Sequence, residues 1–172
     1  MKKSFFILLT SILLLCSCKE GVGSVIIDDS DKTADARMEE VFEIIKSSDK
    51  DGLKAVFSKQ ALTDANDFDG NLDAVFNYIQ GDIQSWEGTG TYGGTDEKNA
   101  DGKGNRRKEA ESTYILITSE QKYEIAIYEF TIDTANPDNV GVYSICIINK
   151  NDKQEPEVRY WGSGDAGIII GE

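Results

Sequence analysis

The chain has 172 residues, with 31 acidic against 18 basic side chains, a net charge of −13 and no histidine. That charge argues against nucleic-acid partners held by a general electrostatic field. The missing imidazole excludes Ser–His and Cys–His nucleophile pairs and every zinc site that needs histidine.

The N-terminal stretch Met1 to Cys18 reads MKKSFFILLTSILLLCSC. Lys2 and Lys3 precede an apolar run from Phe5 to Leu15, broken only by Thr10 and Ser11. The run falls short of the roughly 20 residues a spanning helix needs. It fits the about 7–15 apolar residues of a signal peptide. Leu15-Cys16-Ser17-Cys18 resembles a bacterial lipobox. Cys18 is the better acceptor, because the small Ser17 precedes it, whereas the bulky Leu15 precedes Cys16. The resemblance implies a diacylglyceryl group on Cys18 and cleavage just before it. Residues 1–17 are then the signal peptide, 18–32 the lipidated cysteine and tether, and 33–172 a single domain. More than one acyl chain makes such an anchor stable. The implied location is the outer face of the cytoplasmic membrane of a Gram-positive cell. Loss of Lys2 and Lys3 makes the mature chain still more acidic, so an anionic lipid surface repels it. The lipid on Cys18 is its expected membrane contact. Cys146, in an apolar run, reads as a core thiol.

Ala34, Met38, Val41, Phe42 and Ile45 recur at three- and four-residue steps and predict a helix over 33–48, with Thr33 as N-cap. A second helix follows Asp49 over 50–62, with Leu53, Val56, Phe57, Ala61 and Leu62 apolar. Beyond an acidic connection, Leu72, Val75, Phe76, Ile79, Ile83 and Trp86 predict a third helix over about 71–86. Gly81 marks a bend in it or the approach of another backbone. The character then changes. Residues 87–108 are rich in Gly and charge, and β-branched and aromatic runs follow at 111–118, 123–133, 140–149 and 158–161. Ser119-Glu120-Gln121 predicts an antiparallel hairpin, and Asn136-Pro137-Asp138-Asn139 a turn. The tail adds a Gly-rich loop and a short apolar segment. Helices first and an antiparallel sheet after them make an α+β domain.

Several stretches resemble one family of small lipoproteins of unknown function, DUF5104, over residues 32–145. They are Lys32 to Glu40, Leu53 to Leu62, Gln80 to Glu87, and Asn136 to Asn139 with Gly141 and Tyr143 after them. Tyr160-Trp161 and Ala166 to Ile168 extend the likeness to the tail. The resemblance implies an NTF2-like cone, with three N-terminal helices packed on a bent antiparallel sheet that encloses a pocket. It brings no activity and no functional residues.

Several motifs fail their own tests. Gly88-Thr89-Gly90-Thr91-Tyr92-Gly93 matches G-x-G-x-x-G, but it follows a predicted helix and precedes a sheet, the reverse of a phosphate loop. The acidic loops around Gly70 and Gly102 put Ala65, Phe76 or Lys108 where a calcium loop needs oxygen ligands. Ser47-Ser48-Asp49-Lys50 has S-x-x-K spacing without the companion motifs. Lys103, Arg106, Arg107 and Lys108 form the one basic cluster, read as a solvated strand start. No metal or cofactor is expected.

The aromatic set Trp86, Tyr114, Tyr128, Tyr143 and Trp161 is the candidate pocket lining, because buried Tyr and Trp need polar partners that pockets supply. The leading expectation is a non-enzymatic binding module for a small apolar ligand or an envelope protein. The open sheet face offers a route to a homodimer. The alternative is a small isomerase- or cyclase-like enzyme in which Asp133 or Glu129 works with Tyr128. A third reading is an envelope-assembly lipoprotein without a pocket function.

Overall fold

A computed structural model describes residues 30–92, 96–99, 101–151 and 165–171. The signal peptide, Cys18 and most of the tether therefore lie outside the described residues, as do the strand expected at 158–161 and Trp161. The order is α1 (Ser30–Lys46), α2 (Lys50–Ala55), α3 (Lys59–Asp64), α4 (Phe68–Tyr78), β1 (Ile83–Tyr92), β2 (Asp96–Lys98), β3 (Arg106–Thr118), β4 (Lys122–Asp133), β5 (Gly141–Asn149) and β6 (Gly167–Ile170). A 3-10 turn, Pro137–Asn139, joins β4 to β5. Four helices pack on a mixed, open sheet of order β1-β3-β4-β5-β6, with β2 pairing beside the start of β3. Among the described residues no helix is long and apolar enough to cross a membrane.

The α+β class expected from the sequence holds, with three corrections. The helix expected over 50–62 is two helices. Val142 donates its N–H to the carbonyl of Val56 at 3.1 Å, and Ser58 donates to the carbonyl of Val142 at 2.8 Å. Backbone groups pledged to β5 cannot also close helical turns. The Ser58 hydroxyl instead accepts from Ala61 N–H and starts α3. The approach is close enough that a Cβ on Gly141, whose φ is +128°, would meet Ser58 N at 3.1 Å.

The helix expected over 71–86 ends at Tyr78. The buried Tyr123 hydroxyl donates to the carbonyl of Tyr78 and accepts from Gln80 N–H, so β4 stops the helix. Gly81 turns at φ +83°, and β1 follows. Ile83 and Trp86 are three apart because β1 is irregular between Ile83 and Ser85. Ile83 pairs with Thr118 and Trp86 with Leu116, two residues of β3 that share a face. One extra strand residue imitates the helical step of three.

The third correction concerns the sheet. β1, β3, β4 and β5 pair antiparallel, but β6 pairs parallel to β5, with Ile145 opposite Ile168 and Ile147 opposite Ile170. The core lies between the helices and one sheet face. Met38, Val41, Leu53, Ala61, Leu72 and Val75 meet Tyr114, Leu116, Ile125, Ile127, Ile145, Ile147 and Ile168, all buried.

Candidate functional site

The four described members of the expected aromatic set separate into two pairs. Trp86 and Tyr114 share the helix-facing side of the sheet. Their rings meet edge to face at 5.3 Å and 88°. Trp86 Nε1 donates to Glu39 Oε2 at 2.8 Å, and the Tyr114 hydroxyl to Asp35 Oδ1 at 3.3 Å. Beside them, Arg37 Nε donates to Glu129 Oε2 at 3.0 Å, and the Glu129 side chain is only 5% exposed. Burial, then the Asp35 and Glu129 carboxylates, push the Tyr114 hydroxyl up to about 12, against a lowering bond with Ser112.

Tyr128 and Tyr143 meet at 6.1 Å and 87°. Phe130, which the sequence reading did not single out, completes the cluster at 5.3 Å from Tyr128 and 5.7 Å from Tyr143. Tyr128 and Phe130 alternate with the core residues of β4 and so point away from the helices. The Tyr128 hydroxyl donates to Glu109 Oε2 at 2.5 Å. Burial, reinforced by that bond and by the Glu109 charge, holds Tyr128 protonated well above its ordinary range. Arg107 pairs with Glu109 at 2.7 Å and covers the Phe130 ring.

The acid and base proposed beside Tyr128 do not converge on it. Tyr128 meets Glu109, while Glu129 pairs with Arg37. Asp133 accepts from the N–H groups of Ala135 and Asn136 and from the Asn139 amide, which fixes the turn into β5. Burial pushes Asp133 up, but these bonds outweigh it and leave its carboxyl below the usual range. Among the described residues no group of three or more Cys, Asp or Glu side chains is placed to hold a metal ion. Asp67 caps α4 through Gly70 N–H, and Asp69 pairs with Lys54. Gly88 and Gly90 lie within β1, at an irregularity opposite β3.

A concavity of about 660 Å³ lies elsewhere, between α4 and β6. Asn71, Ala74, Asn77 and Tyr78 form one wall, on one side of α4. Asp165, Ala166 and Ile168 to Ile170 form the other, and Asp64 and Asn66 line it beside α3. Gly167, at φ +91°, seats β6 so closely that a Cβ there would meet Ala65 Cβ at 2.7 Å. Asp64 Oδ2 accepts from the Tyr143 hydroxyl at 3.2 Å and connects the groove to the three-ring cluster. Burial, then the bond and charge of Asp64, with a smaller contribution from the Asp165 charge, raise the Tyr143 pKa. Asn71 Nδ2 donates to the carbonyl of Asn66 and Asn77 Nδ2 to that of Asp73, leaving their Oδ1 atoms as acceptors. The groove is a carboxylate- and amide-lined cleft over an Ile and Ala floor. Sequence reading missed it because Asn71 and Asn77 look like a solvated helix face, and nothing in the tail announces where β6 pairs.

The family model described as domain of unknown function (DUF5104) matches residues 40–150. The chain belongs to the DUF5104 family. No curated protein matches it. The DUF5104 match runs from α1 to the end of β5 and takes in both aromatic pairs and the α4 wall of the groove. Its description assigns no activity.

Proposed function

We propose that this DUF5104 protein is a non-enzymatic binding module, lipid-anchored through Cys18 on the outer face of the cytoplasmic membrane of a Gram-positive cell. Its helices and sheet are read as an NTF2-like cone. The strand irregularities at Ile83–Ser85, Lys108–Glu109 and Tyr128–Glu129 support a bent sheet of that kind. The observation that carries the binding reading is the α4–β6 groove, where carboxylate and amide groups sit beside Ala and Ile side chains. Concave sites with a few placed polar groups on an apolar ground are the usual form of a binding site.

Two measurements test the reading. Cys18→Ala should move the protein out of the membrane fraction or leave it unprocessed. Mature Cys18→Ala protein still on the membrane would sink the anchor. A photo-cross-linking residue at Asn77, in intact cells, should capture a partner that the same residue at exposed Lys122, outside the groove, does not. Identical capture from both positions would remove the groove from the account.

A further inference from the structure

Positive charge gathers in the β2–β3 ribbon of an acidic chain. Residues 96–108 carry a net charge of +2, whereas the whole chain carries −13. The structure divides the basic run between two faces. Arg107 turns to Glu109 and the Phe130 ring. Arg106 lies directly opposite Lys98 in the antiparallel pairing, so both belong to the other face. Lys98 and Lys103 are exposed. β4 ends at Asp133, opposite Arg107, so the turn from Asn99 to Asn105 projects beyond it. Asn99 N–H donates to the Asn105 carbonyl at 2.6 Å and Gly102 N–H to the Asn99 carbonyl at 2.8 Å, which closes the turn. Acids at this end are engaged. Asp101 accepts from Lys103 N–H and the Asn105 amide, Asp133 holds the turn into β5, and Asp138 pairs with Lys59.

The first turn of α1 lies toward the same end. Along α1, Glu39 meets Trp86, which pairs with Leu116, and Asp35 meets Tyr114. Arg37 reaches Glu129, which pairs with Ala110. Moving back along α1 therefore moves down β3 toward Arg106. Ser30 precedes Asp35 by about 7.5 Å of helical rise. Arg106 precedes Tyr114 by about 26 Å of strand rise. The ribbon tip thus extends past the start of the helix. From Ser30 back to Cys18 the chain can reach at most roughly 40 Å. We propose that the β2–β3 tip, through Lys98 and Lys103, rests on anionic headgroups of the membrane that anchors the chain, and so sets which end of the domain faces the bilayer. This inference rests on the lipid anchor at Cys18. Tethering holds the tip at high effective concentration, so a contact too weak to recruit a free domain suffices. The same surface attracts the lysines of the tip and repels the acidic body, which favours the tip-down orientation.

The test places the mature, lipidated chain in nanodiscs of phosphatidylcholine alone, or of phosphatidylcholine with phosphatidylglycerol. Both carry a trace of lipid with a gadolinium chelate on its headgroup. On the anionic discs the amide signals of Gly102 and Lys103 should relax several-fold faster than that of exposed Ala74 on α4. The difference should vanish on neutral discs, and also in about 0.5 M salt, where surface charge is screened. The double variant Lys98→Gln, Lys103→Gln should lower the tip effect about ten-fold, because each lysine strengthens contact with an anionic surface. Lys98→Arg, Lys103→Arg should keep it. Both positions are exposed, so amide shifts elsewhere should not move and a loss of fold is not mistaken for a loss of contact. Equal relaxation of Gly102 and Ala74 on anionic discs overturns the proposal. So does a tip effect that persists on neutral discs or in the Gln variant. The mass of the same sample reports the lipid on Cys18. A lipidated chain without tip contact loses this inference and keeps the anchor, whereas a chain without lipid loses both.

Discussion

The Trp86–Tyr114 end of the molecule and the α4–β6 groove are both built from aromatics, carboxylates and apolar side chains, yet they differ in how their amide and charged groups are used. Around Trp86 each polar group meets another across two elements. Arg37 of α1 meets Glu129 of β4, Glu39 meets the Trp86 indole, and Asp35 meets the Tyr114 hydroxyl. These contacts fasten α1 to the sheet. In the groove, Asn71 and Asn77 satisfy their amide nitrogens within their own segment and present acceptors to the cleft. The difference teaches that a buried aromatic–carboxylate set marks a clasp when its bonds cross elements.

Breaking the clasp should have the largest effect. Arg37→Ala leaves the buried Glu129 carboxylate without its cation and should cost about 3 kcal/mol in chemical denaturation. The double change Arg37→Met, Glu129→Leu should recover most of that loss, because paired charges give little net stability over apolar packing. A double variant as unstable as Arg37→Ala would show that the pair's contribution is not electrostatic. Gly167→Ala forces a left-handed φ on alanine and pushes a methyl into Ala65. It should cost about 2 kcal/mol, within the ordinary range for strained backbone, and disturb the groove wall by moving β6.

Tyr114→Phe is gentler, costing about 1 kcal/mol for one lost hydrogen bond. It also has a pH signature. The folded pKa of Tyr114 is raised to about 12 from an ordinary value of 10.0. The folded state therefore binds more protons than the unfolded state between those values. The resulting stability is fully present below pH 10.0 and is lost as pH rises towards about 12. The Phe variant should lack that part of the alkaline loss in denaturation titrations. Smallest of all, Asn71→Ala and Asn77→Ala should change stability by no more than about 0.5 kcal/mol, as exposed polar groups do. A cost above 1 kcal/mol, on the order expected of clasp residues, would make the groove structural and erase the contrast.

The sequence's local signals read much of the fold correctly. The apolar stripe of α1, from Ala34 to Ile45, is buried as its spacing predicts. The strands around Tyr114, Ile125 and Ile145 cover most of the expected runs, with β3 starting five residues earlier, at Arg106. What misled was long-range in origin. Val56 to Ser58 has helical spacing, but its backbone is claimed by β5, and the helix before Gly81 is stopped by Tyr123, 45 residues away from Tyr78. The four described aromatic candidates, Trp86, Tyr114, Tyr128 and Tyr143, are buried or half-buried. Their partition into two clusters depends on strand parity and on the irregularities in β1 and β5, which no residue pattern displays.

By itself the sequence determined the acidic, histidine-free chemistry, the α+β class and the family, because composition and hydrophobic period are local properties. Only the tertiary structure decided which carboxylates clasp and which line a cleft. Asp64 and Asp165 lie 101 residues apart in the chain, yet both line the α4–β6 cleft. The parallel pairing of β6 with β5 sets the segment from Asp165 to Ile170 beside α4 and so makes the cleft.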